Sequence, residues 1–306
     1  MNATLSSLTA LSTDLARAVA DAGPSIAYVD AHPRRDASGI AWDAHHLVTV
    51  DHAIEREDDI EILLANGAKA TANLIGRDPS TDVAVLRTET TLVPLERADL
   101  TGLAVGHIVL ALARDEDGAP GASFGIVSSL DGPWRTWRGG DVDRFIRPDL
   151  NVYPSFSGGA LVNADGRLVG MNTWGLSRRS ALTLPVTTLE RIVGTLASGK
   201  RIARGYLGVA TQSVRLPDSL RAKLGRDQRS ATIVVDVAPG GPADRAGLAI
   251  GDVIAAIGTA IIDDSDDLQR ALGSDTVGTT RPLQVLRGGE LREIAVAIGE
   301  RPSDDD

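Results

Sequence analysis

The chain has 306 residues, of which 43 % are hydrophobic and 24 % are charged, and its formal net charge is −10 at pH 7. This length allows two domains, and the acidic balance argues against nucleic acid as a partner, because phosphate binding needs clustered basic side chains. The sequence contains no cysteine, which excludes disulfides, thiolate metal sites and cysteine nucleophiles.

The first predicted element is an amphipathic helix over residues 1–24. Its apolar residues recur at helical spacing: Leu8, Leu11, Leu15 and Val19. Gly23 and Pro24 end the pattern, and we expect the helix to pack on the domain that follows. No apolar run reaches the roughly 18 residues of a membrane helix, and no basic segment precedes an apolar one as in an export signal. The sequence therefore predicts no transmembrane segment and favours the cytoplasm.

Short apolar runs separated by turn residues fill the segment 25–199. The predicted strands are 46–50, 61–64, 83–88, 107–112, 125–130, 160–163, 167–173 and 181–186. Many short strands with regular turn signals predict a mainly β barrel or sandwich rather than βαβ units. A helix is predicted over 187–199, with Thr187 or Thr188 as N-cap.

A second, smaller unit is predicted over 205–300, after a polar linker at 200–204 and before an acidic tail at 301–306. Its predicted strands lie near 205–211, 231–237, 252–257, 282–287 and 292–298. A helix is expected over 265–272, with Ser265 as N-cap and Asp266 and Asp267 in the first turn, where the helix dipole favours acids.

Three residues fit the needs of hydrolysis by a serine nucleophile. His52 follows a predicted strand, Asp82 begins another strand, and Ser157 lies in the turn SFSGG. Such chemistry requires a base for the hydroxyl proton and an acid that orients the base. Each residue alone has a structural alternative: a solvated histidine, a turn aspartate or a flexible SGG turn. Their order, with separations of 30 and 75 residues, suits facing loops of two β-barrels.

Several ordered segments resemble the HtrA/Deg type of chymotrypsin-fold serine protease. The segments are ASGIAWDAHHLVTVDHAI, GRDPSTDVAVLRT, VGHIVLALARDEDGAPGASFGIVSSL, RFIRPDLNVYPSFSGGALVNADGRLVGMNT and ALTLPV. The resemblance implies a double β-barrel in which His52 is the base, Asp82 orients it and Ser157 is the nucleophile. The resemblance also implies endoproteolysis of unfolded or damaged protein, with small aliphatic residues before the cleaved bond and without a cofactor. It implies the cell envelope as the alternative compartment to the cytoplasm.

The nucleophile turn departs from the family motif GNSGG at Ser155. The backbone N–H groups of Ser155 and Ser157 are the expected oxyanion donors. Serine keeps this N–H, so the departure concerns conformation: a positive φ at 155 would cost a serine about 1–2 kcal/mol. The first 40 residues also contain a single aromatic, Tyr28, whereas trimeric relatives use N-terminal aromatics. A trimer held by such aromatics is therefore not expected, although the amphipathic helix could substitute for them, and a homo-oligomer stays open.

The segment DGPWRTWRGGDVD is conspicuous in a chain with only 3 % aromatic residues. Trp134, Arg135, Trp137 and Arg138 occupy a position that resembles the family's ligand-sensing loop. A binding surface and a locally packed tryptophan pair stay open as interpretations.

The second unit resembles a PDZ domain. Its loop residues Gly205, Tyr206, Leu207, Gly208 and Val209 resemble the carboxylate-binding loop, and APGGPADRAGLAIGDVIAAIGTAII resembles a later block of the module. In such a domain, loop N–H groups hold a peptide C-terminus and the adjacent strand edge pairs with the peptide.

The sequence leads to one function with two alternatives. We expect a serine endopeptidase whose activity falls as the pH drops below about 6–7, because the base is a histidine. The alternatives are an inactive binding protein or chaperone, and a peptide-sensing adaptor whose protease is normally switched off. His45 and His46 do not occupy the motif position, and the five histidines lack a regular ligand spacing, so no metal site is predicted.

Overall fold

The fold was obtained as a computed structural model that describes residues 2–177, 180–200, 202, 205–273 and 276–300. The chain divides into two compact units, Met1–Arg201 and Ile202–Asp306. The predicted tail 301–306 and most of the predicted linker 200–204 lie outside the described residues. The expected double β-barrel followed by a PDZ-type unit is confirmed, and it is built as follows.

The chain begins with helix α1, Asn2–Ala22, and a 3₁₀ turn, Gly23–Ser25, follows it. Among the helix residues whose burial is described, Ala18 and Ala22 are buried, and Leu15 and Val19 are half-buried. The expectation that its leucines pack on the next domain is wrong for Leu8 and Leu11, which are 61 % and 40 % exposed. None of the helices in the described part of the chain is long and apolar enough to cross a membrane.

The first barrel closes six antiparallel strands in the order β1-β2-β3-β6-β5-β4. The strands are β1 Ile26–Asp30, β2 Ala37–Ala41, β3 His46–Thr49, β4 Ile60–Leu63, β5 Lys69–Asp78 and β6 Val83–Thr88. Its core is aliphatic, with Leu47, Ile60, Ile62 and Leu86 fully buried, as the low aromatic content requires. The barrel places His52 just after β3 and Asp82 just before β6, and β3 pairs with β6.

The second barrel closes in the order β11-β14-β13-β12-β7-β8. Its strands are β7 Ile108–Arg114, β8 Pro120–Asp131, β11 Phe145–Asp149, β12 Ala160–Asn163, β13 Leu168–Thr173 and β14 Leu182–Pro185, with a hairpin of β9 Trp134–Arg135 and β10 Asp141–Val142 between β8 and β11. Helix α2, Val186–Ala197, follows. The predicted N-cap is wrong: Pro185 takes that position, and the Thr188 hydroxyl instead accepts the Asp143 N–H at 2.9 Å.

The second unit is built on an antiparallel sheet with the main order β16-β17-β18-β20-β21, which β19 joins through β18. Its elements are β15 Gly205–Tyr206, β16 Val209–Arg215, α3 Asp218–Leu224, β17 Ser230–Val237, α4 Pro242–Arg245, β18 Val253–Ile257, β19 Ala260–Ile261, α5 Ser265–Ala271, β20 Thr280–Arg287, β21 Glu290–Ala297 and β22 Gly299–Glu300. Ser265 is not the N-cap of α5. Asp264 caps it through a reciprocal capping box with Asp267, so the acidic first turn has a direct structural role.

Candidate active site

His52 and Asp82 form a directly hydrogen-bonded pair. His52 lies in a 3₁₀ turn after β3, and its Nδ1 is 2.8 Å from Asp82 Oδ2 and 3.0 Å from Oδ1. The His52 backbone N–H also donates to Asp82 Oδ1 at 2.9 Å. Asp82 is 1 % exposed and has a positive φ of 61°, which is unusual for a residue other than glycine. Contacts to Nδ1 leave Nε2 as the ring nitrogen available to a nucleophile.

The end of β13 supports the carboxylate from the second barrel. Thr173 is fully buried, and its hydroxyl donates a short hydrogen bond to Asp82 Oδ2. Gly175 donates its N–H to the Thr173 hydroxyl at 2.8 Å. A Cβ at position 175 would lie 2.6 Å from Asp82 Cγ and 2.9 Å from His52 Nδ1, so only glycine fits there without displacement. The pair is therefore enclosed by backbone as well as by a hydroxyl.

A second buried carboxylate, Asp51, precedes His52 in the chain. Burial raises the pKa of the Asp51 carboxyl, while the Arg77 guanidinium acts in the opposite direction. Arg77 Nε donates to Asp51 Oδ1 at 2.5 Å, and Arg77 Nη2 reaches the carbonyls of Asp51 and Ile54 at 3.5 and 3.4 Å. The arginine thus holds both the side chain and the backbone of the turn that carries His52.

The two glycines after Ser157 are required by close backbone packing. Gly158 has a φ of 81°, and a Cβ there would overlap the Ser38 carbonyl on β2. A Cβ at Gly159 would overlap the Leu112 carbonyl on β7. Ser157 itself is 2 % exposed. The SGG sequence is thus not a flexible turn: it lets the turn that carries Ser157 lie against both barrels.

Ser38 ties this turn to β2 through several hydrogen bonds. Its N–H donates to the Ser157 carbonyl at 2.9 Å, and its hydroxyl donates to the Ser155 carbonyl at 2.8 Å. The Thr49 hydroxyl in turn donates to the Ser38 carbonyl at 2.7 Å, three residues before His52. Ser157 and His52 therefore belong to neighbouring segments. No hydrogen bond joins their side chains among the residues that the structure describes.

Ser155 lies in a 3₁₀ turn, Pro154–Phe156, in which the Phe156 N–H donates to the Tyr153 carbonyl at 2.9 Å. Ser155 is not among the described residues with positive φ, so it carries none of the strain that a left-handed serine would have. Phe156 is 5 % exposed and contacts the Tyr153 ring edge-on at 5.6 Å. Phe156, which stands where the motif GNSGG has an asparagine, is therefore packed inward.

In the second unit, the expected carboxylate-binding loop has two carbonyls that point inward. The Leu207 carbonyl accepts the Ala243 N–H, and the Gly208 carbonyl accepts the Ala238 N–H, both at 2.8 Å. In a trans peptide the N–H points opposite to the carbonyl of the same unit. The N–H groups of Gly208 and Val209 therefore face the other side of the loop. The left-handed φ of Gly208, 77°, permits this geometry.

The strand after that loop lies at the edge of its sheet. Among the described strands, β16 pairs only with β17, so its second edge is unpaired. Helix α5 lies beside it, and the Thr211 and Ser265 hydroxyl oxygens are 3.1 Å apart. An open strand edge beside a helix is the form of groove that accepts an extended peptide.

The two tryptophans near β9 do not form one packed pair. Trp134 contacts the Phe145 ring edge-on at 5.5 Å, whereas Trp137 is 58 % exposed. The Arg138 guanidinium lies 4.7 Å from the Trp137 ring centre. The interpretation as a locally packed pair is therefore wrong, because the two side chains belong to different surroundings.

Several residues of this site were not found from the sequence. Ser38, Thr173 and Gly175 contact the nucleophile turn or the His52–Asp82 pair, although each is a common residue type in a strand or turn. Ser38 lies in β2, whose residues are all buried, but the sequence ASGIA does not by itself reveal that burial. Nothing in the local sequence marks Thr173 or Gly175, because their contacts arise where the two barrels pack against each other.

Two family models match the chain. The trypsin-like peptidase domain matches residues 37–171, and the PDZ domain matches residues 205–298. The first match includes His52, Asp82 and Ser157. The second includes the loop from Gly205 to Val209.

Curated relatives and solved structures agree with these matches. A probable periplasmic serine endoprotease DegP-like from Halomonas elongata is 32 % identical over 84 % of this chain and 54 % of its own length. Its counterpart from Pseudomonas fulva is 30 % identical, covering 85 % and 54 %. The chain thus spans about half the length of these relatives.

Among solved structures, the HtrA-type protease AlgW with a decapeptide gives a TM-score of 0.73 at 27 % identity, covering 94 % of this chain and 99 % of that one. The serine endoprotease from Yersinia pestis gives a TM-score of 0.73 at 26 % identity, covering 94 % and 98 %. The curated relatives are named periplasmic, so the comparisons do not support the cytoplasm that the N-terminal sequence favoured.

Proposed function

Because this chain belongs to the HtrA/Deg type of trypsin-like serine protease with a PDZ domain, we propose that it is a serine endopeptidase. The observation that carries the proposal is the buried carboxylate of Asp82 held 2.8 Å from His52 Nδ1. This contact orients the imidazole and stabilises the positive charge that it acquires during acyl transfer.

In the proposed reaction, Ser157 Oγ attacks the carbonyl carbon of the scissile peptide while His52 Nε2 takes the hydroxyl proton. The backbone N–H groups of Ser155 and Ser157 receive the oxyanion of the tetrahedral intermediate. His52 then gives the proton to the leaving amine, and an acyl-serine remains. A water molecule, deprotonated by His52, releases the second product and regenerates the serine.

The proposed substrates are unfolded or damaged proteins, with small aliphatic residues before the cut. The names of the curated relatives support the periplasm or cell envelope as the compartment. The proposed domain boundaries, 25–199 for the protease and 205–300 for the PDZ domain, are supported by the division into two compact units.

We further propose that the second unit binds peptide C-termini. The N–H groups of Gly208 and Val209 would hold the terminal carboxylate. Gly205, Tyr206 and Leu207 would shape the same loop, since the Gly205 N–H already donates to the Leu272 carbonyl at 3.2 Å. The peptide would then add to the free edge of β16. Titration with one peptide in its carboxylate and amide forms tests this role: we expect fluorescence anisotropy to detect binding of the carboxylate only.

Cleavage of casein, an unfolded protein, tests the protease function. We expect wild-type chain to cut casein and Ser157→Ala to leave it intact, with both proteins equally folded by circular dichroism. Cleavage only after a C-terminal peptide is added would identify a normally switched-off protease. A folded wild type that never cuts casein would favour the binding protein or chaperone.

A further inference from the structure

The loop that carries Asp82 adopts an unfavourable conformation. We call residues 78–82 the acid loop. Its last residue, Asp82, has a φ of 61°, and side chains rarely adopt this region unless surrounding contacts fix them. Within the loop, the Asp78 carboxylate accepts the Ser80 N–H at 3.2 Å and the Thr81 hydroxyl at 2.7 Å. These bonds shape the start of the loop.

A second set of contacts reaches the acid loop from the hairpin inserted between β8 and β11 of the other barrel. The Thr136 hydroxyl, in the hairpin of β9 and β10, lies 2.5 Å from the Ser80 carbonyl, and Thr136 is 4 % exposed. The same hydroxyl accepts the Gly140 N–H at 2.9 Å. A hydroxyl has one proton, and a carbonyl can only accept. The Thr136 proton is therefore directed at Ser80, two residues before Asp82.

Neighbouring groups of the hairpin extend this contact. Arg138 Nη1 donates to the Pro79 carbonyl at 3.3 Å. Gly140 packs so closely that a Cβ would overlap both the Ser80 carbonyl and the Thr81 side chain. The hairpin therefore holds three consecutive residues of the acid loop.

We propose that Thr136 is a positioning residue for catalysis, acting through the acid loop on Asp82. The inference rests on the proposed protease function. The hairpin is a separate two-stranded sheet, inserted between β8 and β11 of the barrel that carries Ser157, whereas the acid loop joins β5 to β6 of the barrel that carries His52. The Thr136 hydroxyl thus links the part of the site that carries His52 to the part that carries Ser157. Loss of this link lets Ser80 shift, and Asp82 loses its fixed direction toward His52.

Thr136→Val tests this role because it keeps the side-chain shape and removes the donor. Thr136→Ser restores the hydroxyl. Thr88→Val is a matched control, since the Thr88 hydroxyl also donates to a backbone carbonyl, that of Thr71 at 2.7 Å, and also accepts a backbone N–H, that of Thr90 at 3.2 Å. Thr88 is 3 % exposed and lies at the far end of β6, six residues after Asp82, which is about 20 Å along an extended strand.

We expect Thr136→Val to lower kcat/KM on a peptide substrate about three- to tenfold, the range for one lost hydrogen bond. We expect Thr136→Ser to stay near wild type. The free energy of unfolding, measured by urea titration, should fall by the same amount in Thr88→Val as in Thr136→Val. The kcat/KM of Thr88→Val should nevertheless stay at the wild-type value. Proton NMR supplies a readout independent of turnover: the downfield His52 Nδ1–H signal should shift or broaden in Thr136→Val alone.

Wild-type kcat/KM and an unchanged His52 signal in Thr136→Val would overturn the proposal. Equal losses of kcat/KM in Thr136→Val and Thr88→Val would also overturn it, because they indicate stability alone. If the wild type lacks protease activity, the proposed function fails and the NMR comparison still decides the positioning role. If Thr136→Val does not fold, Arg138→Met replaces it, with an expected two- to threefold loss of kcat/KM or a His52 shift. Neither effect in that variant would overturn the proposal.

Discussion

Gly175 is the position at which one added methyl group should most directly disturb the proposed base. In Gly175→Ala the new Cβ would lie 2.6 Å from Asp82 Cγ and 2.9 Å from His52 Nδ1. Ordinary carbon contacts are about 3.5–4.0 Å, so the carboxylate, the imidazole or the β13 end must move by about 1 Å. Asp82 is 1 % exposed and has little space to move into.

The expected loss in Gly175→Ala is large in activity and moderate in stability. A displacement of about 1 Å can cost about 100-fold in rate, and overpacking typically costs about 1–3 kcal/mol of unfolding free energy. We expect kcat/KM on a fluorogenic peptide to fall about 100-fold. The unfolding free energy, measured by urea titration, should fall within the stated range.

Gly194→Ala serves as the control, because this glycine lies in α2 with nothing within 4 Å of an added Cβ. It should keep wild-type activity and gain up to about 1 kcal/mol from better helix propensity. The reasoning is refuted if Gly175→Ala is as active and as stable as wild type. It is also refuted if Gly194→Ala loses activity to the same extent.

Two further predictions concern the nucleophile turn and the PDZ unit. Ser155 does not have positive φ in the structure, whereas glycine can also adopt positive φ and thereby align the oxyanion donor, so we expect Ser155→Gly to label faster with a fluorophosphonate probe; an equal or slower rate would contradict this. In the second unit, Asp252 is 1 % exposed, and this burial raises the pKa of its carboxyl. The Arg287 guanidinium binds both carboxylate oxygens at 2.6 and 2.7 Å, and the pKa is therefore lowered overall. A carboxyl whose pKa is lower in the folded than in the unfolded protein stabilises the fold at pH values above its unfolded-state pKa. That stabilisation is lost as the pH falls through its folded-state pKa. The free energy of unfolding of Asp252→Asn at pH 7 should therefore be about 2–3 kcal/mol lower than that of wild type, and it should fall less on acidification. Urea titrations at pH 7 and pH 3 measure both effects, and an unchanged free energy of unfolding would contradict this.

The strands and the order of the proposed catalytic residues were predictable because they depend on local patterns. Short continuous apolar runs between turn residues identified β6 and β12 with their bounds, since such runs are typical of strands that are buried on both faces. Helix ends were less predictable. Thr188 and Ser265 are suitable caps by residue type, but each hydroxyl contacts a distant segment instead.

The supporting residues of the site could not be predicted from local sequence. Ser38, Thr173 and Gly175 matter because barrel closure places them against the nucleophile turn or the His52–Asp82 pair. The same holds for Thr136, whose contact with Ser80 joins the hairpin of β9 and β10 to the acid loop across 56 residues of sequence. Such contacts depend on strand register, which a single sequence specifies only through the complete fold.

Covalent labelling with a fluorophosphonate probe, with mass spectrometry to locate the adduct, tests the central claim most directly. The comparison uses wild type and Ser157→Ala, with and without casein. The account predicts an adduct on Ser157 in the wild type and none in the variant, because only an activated serine reacts with this probe. A folded wild type that forms no adduct under any condition, or an adduct on another serine, would contradict it.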